Sequence, residues 1–291
     1  MTDAVPTVRL NNGVAMPRLG FGVFQVPNDV ARTAVSTALR EGYRSIDTAA
    51  LYGNEQGVGE AVAGSDVPRT DLFITTKLWN SDQGYERAPV SFEESLDRLG
   101  LQYLDLYLIH WPVPAKDAYV PTWRAFERLL AETRVRAIGV SNFTIDSLRR
   151  LVDQTGVVPA INQIELHPAF QQEELRALHA ELGIVTEAWS PLGQGAALEH
   201  PVIARIAQTH ARTRAQIVLR WHLQLGNVVI PKSVTPSRIK ENRDIFGFTL
   251  TDEDMAAVAA LDTGTRIGPD PDLVGDRPSG FSTSIDQRFS Q

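Results

Sequence analysis

The 291-residue chain contains no cysteine, which excludes disulfides, thiolate nucleophiles and sulfur-ligated zinc sites. That absence suits a reducing compartment, and a cytoplasmic location is expected. No apolar run approaches the ~20 residues that a membrane-spanning helix needs. The opening Met1-Thr2-Asp3-Ala4-Val5-Pro6 has neither the basic nor the apolar segment of a secretory signal. Positive charge is in deficit, with 28 Lys and Arg against 35 Asp and Glu for a formal net charge of −7. A broad nucleic-acid or anionic-membrane surface needs a Lys or Arg at each phosphate, so neither partner is expected, and an anionic ligand must be met by a local cluster. The six histidines show no His-Glu-x-x-His or comparable spacing, so no metal site is expected. Gly-x-Gly-x-x-Gly is missing too. Gly20 and Gly22 run into Val23-Phe24-Gln25, which removes the usual dinucleotide turn of an open doubly wound sheet.

What is present is an ordinary globular composition, 43% hydrophobic and 22% charged, sufficient for one continuous core and a single domain. Eight apolar runs with β character are expected as strands: Leu19–Val23, Tyr43–Asp47, Leu72–Lys77, Leu104–His110, Arg136–Ser141, Ala160–Glu165, Ile184–Trp189 and Asn227–Lys232. Several lack polar alternation, as strands covered on both faces do. Between them lie apolar residues at helical spacing: Val30, Ala34 and Ala38 before Gly42, Phe92, Leu96 and Leu99 before Gly100, and Leu175, Leu178 and Leu182 before Gly183. Trp123, Phe126 and Leu130 mark another such stripe, and Ile145, Leu148 and Val152 one more. Eight βα units at this length predict an α/β fold, a closed (β/α)8 TIM barrel. Asn11-Asn12-Gly13, between Thr7-Val8-Arg9-Leu10 and Val14-Ala15-Met16-Pro17, predicts a β-hairpin over 7–18 that plugs the barrel's N-terminal face.

In such a barrel the strand ends line the catalytic face. Asp47, Lys77 and His110 all close strand patterns, and Tyr52 follows Asp47 in the same loop. A phenol has a pKa near 10, and an adjacent ammonium can lower it by roughly 1–3 units. Lys77 is expected to do so, with Asp47 holding the lysine charged and His110 hydrogen-bonding a substrate oxygen, so that Tyr52 protonates a carbonyl. Singly, each residue has a plainer reading: a structural ion pair, a core histidine, an interface ring. Together on one face they are read as a site. Phe24, Trp79 and Trp111 are expected to wall it.

A second cluster comes late. Thr235 reads as an N-cap and Pro236 as a first helical residue, so Lys232 and Ser233 precede a helix N-terminus that favours an anion, with Arg238 three residues inside. In an acidic protein this points to a phosphate-bearing ligand. The loop Ser190-Pro191-Leu192-Gly193-Gln194-Gly195 could bring backbone up to a pyrophosphate.

The stretch Gly42-Tyr43-Arg44-Ser45-Ile46-Asp47-Thr48-Ala49-Ala50-Leu51-Tyr52-Gly53-Asn54-Glu55 resembles the aldo-keto reductase superfamily. So do Leu108-Ile109-His110-Trp111-Pro112, Ile138-Gly139-Val140-Ser141-Asn142-Phe143, Asn162-Gln163-Ile164-Glu165 and the segment from Ile230 to Asn242. Within the superfamily the chain is similar to the bacterial group that includes 2,5-diketo-D-gluconate reductases. The resemblance implies a small-molecule carbonyl substrate, NADPH as cofactor, Tyr52 as general acid, and Asp47, Lys77 and His110 as its partners. It implies Ser141, Asn142 and Gln163 as carboxamide ligands, and Trp189 stacked on the nicotinamide. Lys232, Ser233, Val234, Thr235 and Arg238 would bind the 2′-phosphate, and Glu241 and Asn242 the adenine. Ser190, Leu192, Gly193 and Gln194 are assigned to the cofactor as well. Thr133, Arg214 and Arg243 stand where the family pattern has Gly, Pro and an apolar residue. The tail 263–291 matches no pattern and is expected as a loop over the active-site face. A monomer is expected. Two other classes are weighed: a Schiff-base lyase or aldolase using Lys77, and a non-catalytic NADPH-binding regulatory barrel.

Overall fold

The computed structural model describes residues 5–275, so the last part of the expected tail, 276–291, lies outside the described residues. Strands β1 (Thr7–Arg9) and β2 (Ala15–Pro17) form the expected antiparallel hairpin. Leu10 and Met16 are buried against Phe73, Leu106, Ala137, Ala160 and Ile161, which begin or line the barrel strands. Asn11 and Asn12 fasten the turn to the backbone carbonyls of Pro159 and Arg136, at 3.0 and 2.9 Å. The hairpin therefore closes the N-terminal end of the barrel.

Eight parallel strands follow: β3 (Phe21–Gly22), β4 (Ser45–Asp47), β5 (Phe73–Leu78), β6 (Leu104–Ile109), β7 (Val135–Ser141), β8 (Ile161–Glu165), β9 (Val185–Trp189) and β10 (Val228–Val229). Each pairs with its neighbour in chain order, and a bridge from Leu19 to Val229 joins the last to the first. Both strands at this seam are shorter than expected because they share only a few bonds, Gly20 to Val229 at 2.8 Å and Gly22 to Pro231 at 3.2 Å. The approach is close: a Cβ on Gly22 would stand 2.9 Å from the Ile230 carbonyl oxygen.

The expected helices form at Asn28–Arg40, Arg87–Leu99, Tyr119–Ala131, Ile145–Thr155 and Glu173–Leu182. Their apolar stripes cover the sheet, with Val35, Phe92, Phe126, Leu148 and Leu178 in one buried cluster with strand residues such as Ile74 and Tyr107. The three departures from the family pattern have local accounts. Thr133 ends its helix at φ 56°, a conformation that glycine takes without strain. Arg214 opens a helix capped by Thr213 and donates to the Leu198 carbonyl at 2.9 Å. The guanidinium of Arg243 lies over Gly42, where any added Cβ would meet it at 2.8 Å. No helix among the described residues is long and apolar enough to cross a membrane.

Candidate active site

Asp47 ends β4, Lys77 lies one residue from the end of β5, His110 follows β6, and Tyr52 ends the short 3-10 turn Ala50–Tyr52. The fold brings all four together. Lys77 is fully buried and donates to Asp47 Oδ1 at 2.6 Å, to the Thr48 carbonyl at 2.9 Å and to the Tyr52 hydroxyl at 3.5 Å. The His110 ring stands edge-on to Tyr52, with centroids 5.7 Å apart, and Trp79 stands edge-on to His110 at 5.2 Å.

Burial governs the titration of this group. It pushes the Tyr52 phenol up to about 12, and the neighbouring Lys77 offsets only part of that. The expected net lowering of Tyr52 is therefore corrected: desolvation of the phenolate outweighs the ammonium. For Lys77 burial opposes the charge, yet the attraction of Asp47 and Tyr52 carries its pKa above the usual value. Burial, and then the charge of Lys77, hold His110 well below the usual imidazole value, so it is neutral.

One carboxyl escaped the sequence reading. Glu187 in β9 is 1% exposed and accepts from Gln163 Nε2 at 2.9 Å, while the same nitrogen donates to Asp47 Oδ2 at 2.8 Å. Burial, then the charge of Asp47, pushes Glu187 up to about 8. Its only signal was a carboxylate inside an otherwise apolar strand pattern.

A cleft of about 690 Å³ opens over the group, and Asp47, Tyr52, His110, Phe24 and Trp111 line one part of it. Trp79 does not line it; it is buried with Leu51, Trp111, Val113 and Val274 and backs His110. Ser141, Asn142, Gln163 and Trp189 line the same cleft. Asn142, at φ 63°, spends its amide hydrogens on the His110 carbonyl at 3.0 Å and on Ser141 Oγ at 3.1 Å, and accepts from Trp189 Nε1 at 2.8 Å. Asn142 thus ties the half-buried Trp189 ring to the strand that carries His110.

The cleft continues past Ser190, Leu192 and Gln194 to Lys232, Ser233, Val234, Thr235, Arg238, Glu241 and Asn242. Ser190, Gly193 and Gln194 take positive φ values of 47°, 57° and 53°, so this loop is shaped by left-handed residues, and Gly193 sits beneath the wall against His167 rather than in it. Thr235 occupies the N-cap of Pro236–Arg243, but its side chain makes no cap; the Ser233 hydroxyl instead accepts from the Thr235 amide at 3.1 Å. Lys232 and Arg238 are exposed and form no salt bridge among the described residues.

A second overlooked carboxylate, Glu165 at the end of β8, holds the chain beyond 263. It accepts from the backbone amides of Ile267 at 2.5 Å and Gly268 at 2.9 Å, and pairs with His167 at 3.0 Å. These bonds bring its pKa below the usual carboxylate value although burial opposes them. Gly268 rests on Trp189, where an added Cβ would fall 2.5 Å from the ring. Val274 joins the aromatic cluster beside Trp111, so the described part of the expected loop does lie over the catalytic face.

Residues 18–263 match the Aldo/keto reductase family. The chain is 56% identical over 266 residues to an aldo-keto reductase of Mycobacterium sp. (strain KMS), covering 91% of this chain and 96% of that one. It is 53% identical over 275 residues to methylglyoxal reductase DkgA of Escherichia coli (strain K12), covering 94% and 99%. A crystal structure of a Gox0644 mutant in complex with NADPH superposes with a TM-score of 0.90 at 48% identity, over 94% of this chain and 99% of that one.

Proposed function

The chain belongs to the aldo/keto reductase family, and we propose that it reduces uncharged aldehydes, ketones and dicarbonyl compounds at the cleft described above. It is an NADP-dependent oxidoreductase. Its residues fit the cofactor. Trp189 offers a half-buried ring, Gln163 an amide oxygen that accepts no hydrogen bond among the described residues, and Lys232 and Arg238 two charges unspent among the described residues.

When bound, the reduced nicotinamide supplies a hydride to the carbonyl carbon. The chain supplies the proton. Tyr52, protonated at any working pH, gives its hydrogen to the carbonyl oxygen, and the charge left on the phenolate faces the Lys77 ammonium 3.5 Å away. Asp47 secures that ammonium, and neutral His110 orients the oxygen by hydrogen bonding without competing for the proton. The observation that carries the reading is the completely buried Lys77 held between Asp47 and the Tyr52 hydroxyl. It speaks against a Schiff-base lysine, which must be neutral to attack.

The substrate end is walled by Phe24, Leu51 and Trp111, and the cationic residues lining the described cleft, Lys232 and Arg238, both belong to the loop and helix after β10. This favours neutral carbonyls, keto-sugars among them, over keto acids. Methylglyoxal reduction by the relative of that name supports the dicarbonyl class. Every group used here comes from one chain, and the proposed working unit is the monomer, which sedimentation checks. Following NADPH absorbance against aldehydes, dicarbonyls, neutral keto-sugars and keto acids tests the reading, with NADH as control. Full activity in Tyr52→Phe would overturn the mechanism, and equal use of NADH would overturn the roles of Lys232 and Arg238.

A further inference from the structure

Glu187 and Gln163 are cross-strand partners in β9 and β8, and Glu187 stands two residues before Trp189 on the same side of its strand. Gln163 has one amide nitrogen with two hydrogens, and two acids lie in reach: Asp47 Oδ2 at 2.8 Å and Glu187 Oε2 at 2.9 Å. The terminal torsion of a glutamine has no strong preference of its own, so its neighbours decide which way the amide faces. Turned over, the amide would set its oxygen against the Asp47 carboxylate. With Glu187 removed, one buried N–H would lose its acceptor and the amide would gain freedom to rotate.

We propose that Glu187 is a positioning residue: together with Asp47 it takes up both amide hydrogens of Gln163, fixing the amide with its oxygen available to the carboxamide of the nicotinamide. This rests on the reading of Gln163 as a carboxamide partner. The charged groups facing Glu187 are Asp47 and Lys77, and burial beside Asp47 keeps its own carboxyl mostly protonated at neutral pH. Glu187 therefore serves as an acceptor for Gln163 without adding a second full charge next to Asp47.

Calorimetric titration with NADPH and with adenosine 2′,5′-bisphosphate, which lacks the nicotinamide, tests the proposal. Glu187→Leu should weaken NADPH about tenfold, the loss of one buried hydrogen bond, and leave the bisphosphate unaffected. Glu187→Gln, which keeps an acceptor, should recover NADPH affinity to within about threefold of the parent. Glu187→Asp, which draws the acceptor back by a methylene, should behave like the Leu variant and serves if that one does not fold. Equal weakening of both ligands, or unchanged NADPH affinity in the Leu and Asp variants, would overturn the proposal. Gln163→Leu separates the two levels: unchanged NADPH affinity there means that the carboxamide reading itself fails, whereas a loss there without a loss in Glu187→Leu removes only the role of Glu187.

Discussion

The two ends of the cleft are built on opposite electrostatic plans. Around Tyr52 the charges are buried, mutually bonded and strongly shifted: Lys77 has no exposed surface, His110 is forced neutral, and Tyr52 and Glu187 are pushed up to about 12 and about 8. Around Lys232 and Arg238 the charges are exposed and make no ion pair among the described residues. The difference teaches how each end works. A dry end can alter the energy of a proton, because an uncompensated charge there is costly. A wet end can only hold a charge by attraction, and salt weakens that hold.

Separating rate from affinity breaks this comparison most directly. Tyr52→Phe should lower kcat by about 10² to 10⁴-fold while NADPH affinity changes little; steady-state kinetics with a separate binding titration checks both. Replacing Lys232 and Arg238 with Met should do the reverse, weakening NADPH by about 10 to 100-fold, since charge-assisted hydrogen bonds contribute about 1.5–3 kcal/mol. That loss should shrink as salt rises and should spare NADH. If the double variant lowered kcat as Tyr52→Phe does, the two-ended view would be wrong.

A pH series on stability sharpens the buried end. The pKa of Glu187 rises from 4.5 to about 8 on folding. The stability this group contributes is thus complete below pH 4.5 and drains away as pH climbs to about 8. Glu187→Gln lacks that slope, so its melting temperature should gain on the parent between those limits. Melting curves that run parallel would refute the shift. The smallest effect expected is at Thr133, where φ is 56° in an exposed loop. Thr133→Gly should stabilise by up to about 1 kcal/mol by relieving left-handed strain, and should leave the kinetics alone.

The sequence disclosed positions better than energies. Asp47, Lys77 and His110 were legible because each is a polar residue at the end of an apolar run, and in a barrel every strand end reaches the same face. The late cationic cluster was legible because Lys232, Thr235-Pro236 and Arg238 are local in the chain. The direction of the Tyr52 shift was not legible, since it depends on how completely neighbours such as Phe24 and His110 enclose the ring. Glu187 was passed over because Gln163 lies 24 residues before it and Asp47 a further 116 before Gln163, so that only the sheet joins them. Trp79 reads as wall from its place after a strand, whereas its burial among Leu51, Trp111, Val113 and Val274 depends on loops remote in the chain.

Glu165 holds the 266–274 segment chiefly by backbone amides, those of Ile267 and Gly268, with the Arg266 guanidinium standing farther off at 3.9 Å. Every residue except proline carries such an amide. The seat of the loop is therefore encoded largely in the barrel, with Gly268 fixed by its tight contact on Trp189 and Val274 by its place beside Trp111. Substitution at an outward position such as Leu273, which is 81% exposed, can therefore reshape the loop's outer surface without costing the segment its place beside the site.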